Sequence, residues 1–260
     1  MPLDLFAPGT GAMLALFGAR VSGLVLVAPV FSSRTLPPMV KAGLVVVLTA
    51  LLAPVALRDA TVGAQPTVAL MLGEALVGFA LGMGAALLVG AAEAAGELMA
   101  IQIGLSGAAL FDPVNGAQVP ALGQLMQMMA LGVLLALDLH LVMLDALAAS
   151  TRVLPVGRPV DVAAGAAELV RVGGQLFGLG LRFAAPVIAA VLVANVALAA
   201  LGRAAPQLNI LQLAFPVQIA IGLAALLASL PLIATVLQGW TGTYDSSVGG
   251  VLRALGGGGG

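Results

Sequence analysis

The sequence contains no cysteine, which excludes disulfides, thiolate metal sites and thiol redox chemistry. It has a single histidine, His140, so a multi-histidine metal cage is excluded too and no metal is expected. Charge is scarce: 8% of the 260 residues are Asp, Glu, Lys or Arg, against about 25% in soluble domains. One lysine, Lys41, and nine arginines leave a net charge of −1 with no basic stripe, so nucleic-acid binding is not expected. No glycine-rich phosphate loop followed by lysine occurs, so neither ATP hydrolysis nor a bound cofactor is expected. No basic region precedes the first apolar run, and that run is expected to stay in the mature chain.

What remains is apolar. The chain is 61% hydrophobic with a mean hydropathy of +1.16, and apolar runs of around 20 residues recur, the length that crosses a hydrocarbon core. An all-α integral membrane protein follows, with spans expected at 10–31, 39–57, 68–105, 119–150, 169–200 and 208–238. The third is too long for one crossing; it either continues beyond the membrane or breaks near Gly90 or Gly96. The tail "GGVLRALGGGGG" reads as flexible. Proline at positions 29, 54, 186, 216 and 231 lies within or beside apolar spans, where freed backbone groups need protein or water partners. Gly78 with Gly82, and Gly174 with Gly178, have the small-xxx-small spacing that lets helix backbones approach. If there are six simple crossings, Arg34, Lys41 and Arg203 lie on one side and Arg58, Arg152, Arg158, Arg171 and Arg253 on the other, too even a split to set orientation.

Several charges interrupt the apolar spans: Arg20, Glu74, Glu93, Glu97, Asp138, Asp145 and Arg182. An isolated charge at a helix centre is unfavourable by about 2.5–3.5 kcal/mol, so these groups are expected to be buried with partners or to face water. Glu93 and Glu97 share a helix face with no cation beside them, which argues for water or another chain nearby. On a helix Asp138 and His140 point to different faces, about 200° apart, which disfavours an acid/base set.

The segment "GLSGAALFDPVNGAQVP", residues 104–120, is the one polar, glycine-rich loop set between long apolar runs. One reading is the serine turn of an intramembrane hydrolase, with Ser106 as nucleophile and His140 as base. A nucleophile turn enters a helix, whereas Pro113 and Gly116 punctuate this one, which argues against that reading. The other reading is a moving part: Gly104, Gly107 and Gly116 supply backbone freedom, Pro113 and Asn115-Gly116 a turn, and Leu110 and Phe111 bulk beside Asp112.

Four stretches, "GELMAIQIGLSGAALFDPVNG", "DLHLVMLDALAASTRVLPVG", "LFGLGLRFAAPV" and "LGRAAPQLNILQLAFPVQIAIGLAALLASLPLI", closely resemble the FliR family of flagellar type III export-gate proteins. The injectisome SctT proteins are similar but match less closely. The resemblance runs from about Arg20 to Ile233, and its most specific parts are Phe111-Asp112-Pro113 and the block Arg203 to Asn209. It implies a fold with a FliP-like part followed by a FliQ-like hairpin, with kinked helices partly lifted from the bilayer. It implies a non-enzymatic, pore-forming role in the bacterial inner membrane, within the flagellar basal body. The implied partners are FliP-type and FliQ-type proteins, with FlhB-type and FlhA-type proteins and unfolded flagellar substrates. It further implies that the loop matching 104–118 plugs the pore. Arg203, Pro206, Gln207 and Asn209 would form a helix-break joint that shapes the docking surface. The family's Gly-His pair is Leu139-His140 here, which puts a close helix approach at Leu139 in doubt.

The expected organisation is an N-terminal helical part (1–105), a plug-like loop (106–118), a central helical part (119–205), a C-terminal hairpin arm (206–240) and the tail (241–260). A stand-alone secondary transporter with proline-broken helices is the rival reading.

Overall fold

The computed structural model describes residues 9–32, 36–58, 65–105, 121–205, 207 and 210–257, with the side chains of 210–212 outside the description. Among them are eight helices and no strand. They are α1 (Thr10–Val27), α2 (Pro38–Ala56), α3 (Val68–Ile103), α4 (Ala121–Ala136), α5 (Leu139–Val153), α6 (Val162–Ala204), α7 (Ile210–Gln238) and α8 (Trp240–Leu255). Five of them, α1, α2, α3, α6 and α7, are long and apolar enough to cross a membrane, or six spans if α4 and α5 count as one broken span. The chain is an all-α membrane protein.

Helix boundaries follow local chemistry. Pro29 stands two residues beyond the end of α1, where the chain cannot continue helical, and Pro38 opens α2 with its φ already set. The long third span does not break at Gly90 or Gly96: α3 is one helix of 36 residues, about 54 Å at 1.5 Å per residue. Helix α6 is longer still, 43 residues or about 65 Å, so both outrun a hydrocarbon core of about 30 Å.

The expected fourth span is two helices. Asp138 holds φ 54°, ψ 28°, the left-handed region, and its N–H still bonds the Leu135 carbonyl at 3.1 Å. Aspartate is one of the few non-glycine residues that tolerates this region, so the break falls where the sequence permits it.

The expected flexible tail is a helix over most of its length. In α8 the residues Trp240, Tyr244, Val248, Val251, Leu252 and Leu255 are buried, an apolar stripe at spacings of three and four.

The chain forms two compact units, each discontinuous in sequence. The first comprises residues 1–88, 134–174 and 240–260, and the second 89–133 and 175–239. In the first unit α1 lies against the first half of α3 with almost no side chain between them. A Cβ on Gly78 would sit 1.7 Å from the Arg20 carbonyl oxygen, and one on Gly23 would sit 2.2 Å from that of Ala75. Gly82 faces the Leu24 carbonyl at 3.0 Å by the same construction, so Gly78 and Gly82 do line a close crossing. Gly174 and Gly178 do not: a Cβ on either meets nothing within 4 Å. Chance pairs of small residues are common in a chain with 34 glycines, and spacing alone cannot separate the two cases. Helix α8 closes this unit, with the Tyr244 hydroxyl donating to the Leu81 carbonyl at 3.1 Å.

In the second unit, the latter half of α3 crosses α4 where Gly96 meets the Leu122 carbonyl and Gly123. Gly222 of α7 receives Ile103, and Gly180 of α6 receives the Ala91 carbonyl. Asn195 of α6 and Gln218 of α7 share a side-chain hydrogen bond, the amide of Gln218 donating, which ties the two long helices together. Pro186 lies inside α6, and Pro216 and Pro231 inside α7, so these helices continue past residues that give no backbone donor.

Candidate functional site

The charged residues of the apolar helices separate into a buried set and an outward set. Arg20 and Glu74 are the buried set, 0% and 1% exposed. Arg20 donates from Nε to Glu74 Oε2 at 2.6 Å, from Nη1 to Ser150 Oγ at 2.9 Å, and from Nη2 to the Leu154 carbonyl at 2.9 Å. The other carboxylate oxygen of Glu74 accepts the backbone N–H of Gly157 at 2.8 Å, and Gly157 itself holds a positive φ of 87°. One ion pair therefore binds α1, α3, the end of α5 and the turn after it. An ion buried in apolar surroundings is tolerable only when its remaining donors and acceptors are matched in this way.

The others are not fully buried among the described residues, which leaves water or another chain as the neighbour expected for them. Glu97, Asp138, Asp145 and Arg182 are exposed, and Glu93 and His140 half-buried. Glu93 accepts the Gln127 side-chain amide at 2.8 Å, while Glu97 packs its Cγ against Gly123. Sequence spacing puts Glu93 and Glu97 on one side of α3; the arrival of α4 covers one and leaves the other outward. Asp138 precedes α5 instead of lying within a helix, and makes no side-chain cap bond. Leu139 is fully buried. His140 Nδ1 is enclosed without a hydrogen-bond partner among the described residues, so Asp138, His140 and Asp145 form no acid/base set. No group of three or more metal-ligating side chains occurs among the described residues.

The glycine-rich loop is described only at its first residues. Helix α3 ends at Ile103, and Gly104 takes φ 84°, a left-handed terminator that favours glycine. A Cβ there would meet Gln218 Oε1 and Phe215 of α7, each at 3.4 Å. Gly107, Leu110, Phe111, Asp112, Pro113, Asn115 and Gly116 lie outside the described residues, as does Ser106. At the second expected joint α6 ends at Ala204, Arg203 and Gln207 are exposed, and Pro206 and Asn209 lie outside the described residues. Sequence reasoning missed Ser150, Asn195 and Gln218 as polar contacts inside the helical units; Asn195 and Gln218 are each a single polar residue in an apolar run, the signal that could have found them.

This arrangement of long apolar helices and a glycine-ended loop coincides with a family match. Residues 12–243 match the family described as "Bacterial export proteins, family 1". The chain belongs to that family. It is 36% identical to the flagellar biosynthetic protein FliR of Pectobacterium carotovorum subsp. carotovorum, over 82% of each chain. It is 36% identical to the FliR of Escherichia coli (strain K12), over 83% of each chain. With the FliR of Caulobacter vibrioides (strain ATCC 19089 / CIP 103742 / CB 15) it shares 33% identity over 88% of this chain and 92% of the relative. This FliR-family chain is thus an integral membrane component of the flagellar export apparatus.

Proposed function

We propose that this chain is a pore-forming, non-enzymatic core subunit of the flagellar type III protein export gate in the bacterial inner membrane. The match to the bacterial export family along residues 12–243 carries the proposal. In this reading it assembles with FliP-type and FliQ-type proteins, contacts FlhB-type and FlhA-type proteins, and passes unfolded flagellar subunits.

The placement of charge supports it. Glu97 and Arg182 are exposed on apolar helices, where lipid would be an unfavourable neighbour and another subunit or an aqueous lumen a favourable one. Much of the apolar surface of α6 and α7 also faces outward, including Val193 and Val196 at 71% and Leu227 at 67% exposure. The segment 104–118 is the plug of this gate, rooted at Gly104. The joint from Arg203 to Asn209 separates the central helical part from the C-terminal hairpin arm.

Removing this chain from its own organism should abolish secretion of flagellar subunits, and supplying it in trans should restore it. Undiminished secretion without it would contradict the proposal. A Ser106→Ala variant should secrete normally, whereas an intramembrane hydrolase would lose its activity.

A further inference from the structure

The first unit carries arginines at one end that the ion pairing of the fold does not use. Helix α8 ends against the end of α5 and the turn that follows it. The Asp161 N–H bonds the Leu255 carbonyl at 2.8 Å, and Cβ atoms on Gly165 and Gly256 would lie 2.2 Å from Leu255 and 3.5 Å from Leu154. The segments that meet here bear Arg152 in the last turn of α5, Arg158 in the turn, and Arg253 in the last turn of α8. All three are exposed, and none forms an ion pair among the described residues. Two carboxylates lie nearby: Asp161, which caps the Ala164 N–H at 3.0 Å and keeps its charge, and Glu168, which is paired with Arg171.

The surroundings of these cations are apolar and outward-facing. Val153, Val162 and Val170 of the same unit are 46%, 51% and 77% exposed, and α6 begins its apolar run at this end. Three exposed arginines without a salt bridge, carried on segments that meet, fit the layer where a bilayer's acyl chains give way to headgroups. Arg253 also donates from Nε to the Gly249 carbonyl at 3.0 Å and lies near Glu168. Guanidinium binds phosphate bidentately, and each basic residue near an anionic membrane surface strengthens attachment.

We propose that Arg152, Arg158 and Arg253 form a binding site for the headgroup of an anionic phospholipid, and that this end of the unit faces the more anionic leaflet. The inference rests on the membrane character of the chain and is independent of the export-gate reading.

The test is native mass spectrometry of the full chain in detergent, with equal amounts of phosphatidylglycerol and phosphatidylcholine added. Preferential retention of phosphatidylglycerol is expected. The R152Q/R158Q/R253Q variant should lose affinity roughly a hundredfold, about fivefold for each arginine. The corresponding triple lysine variant should keep most of it, and single glutamine variants read the same effect stepwise if the triple variant fails to fold. Equal retention of both lipids, or undiminished phosphatidylglycerol binding by the glutamine variants, would overturn the proposal.

Discussion

Arg20 and Glu74 stand 54 residues apart, yet Nε and Oε2 meet at 2.6 Å with both side chains sealed from solvent. The pair is weak proof of net stability, because removing two charges from water offsets much of their attraction. What it fixes is arrangement. Arg20 on α1, Glu74 on α3 and the segment from Ser150 to Gly157 must converge before these four bonds form, so a misaligned α1 leaves a buried charge unpaired.

Removing one partner should therefore be far worse than removing both. Arg20→Met or Glu74→Leu alone should destabilise the protein by about 3–5 kcal/mol, and the double variant should recover a large part of that loss. Thermal unfolding in detergent provides the measurement. A double variant as unstable as the sum of the two single ones would show that the network's remaining bonds, not the charge pair, dominate.

The glycines make a sharp contrast. Gly78→Ala would force a Cβ against the Arg20 carbonyl, with no side chain able to give way. The variant should accumulate poorly or melt well below the parent. Gly178→Ala meets open space within a helix and should be neutral or stabilising by up to about 1 kcal/mol. Similar melting temperatures for both variants would contradict the close α1–α3 crossing.

Tyr244 links stability to alkaline pH. Its burial foremost, with the Asp245 charge next, holds the hydroxyl's pKa above its usual value near 10. The folded state thus favours neutral tyrosine, and the unfolded state releases its proton first as pH rises. The contribution is complete below about pH 10, and falls as pH climbs from there toward the raised folded value. Tyr244→Phe should cost about 1 kcal/mol at neutral pH through the lost bond to the Leu81 carbonyl, and should flatten the alkaline fall. Melting curves between pH 7 and 11 for both proteins would show it; identical slopes would exclude Tyr244 as the source.

The plug assignment is tested by deletion. Cells carrying an assembled gate that lacks residues 107–116 should leak small ions, because the lumen has lost its filler. An unchanged membrane permeability, with the gate shown to be assembled, would count against a plug at this loop.

Particular residues show what could be read from the chain alone. Span length and hydropathy located most helices because lipid imposes a fixed length and an apolar face. The stripe from Trp240 to Leu255 was also present, at helical spacing, but its glycine-rich ending masked it. The break at Asp138 was not legible, since aspartate tolerates the left-handed region but also sits readily within helices, and nothing local selects φ 54°. The pairing of Arg20 with Glu74 was equally hidden: each charge signalled a need for a partner, and only the tertiary fold says which. Glu97 and Arg182 gave the same signal and form no ion pair among the described residues.

That outward charge leads to the most direct test of the central proposal, that this chain is a subunit of an export gate. The measurement is native mass spectrometry of the chain co-expressed with the FliP-type and FliQ-type proteins of the same organism. The proposal predicts a stable complex containing this chain together with both partners. A well-folded chain that remains alone with both partners present would contradict it, and would favour a stand-alone transporter.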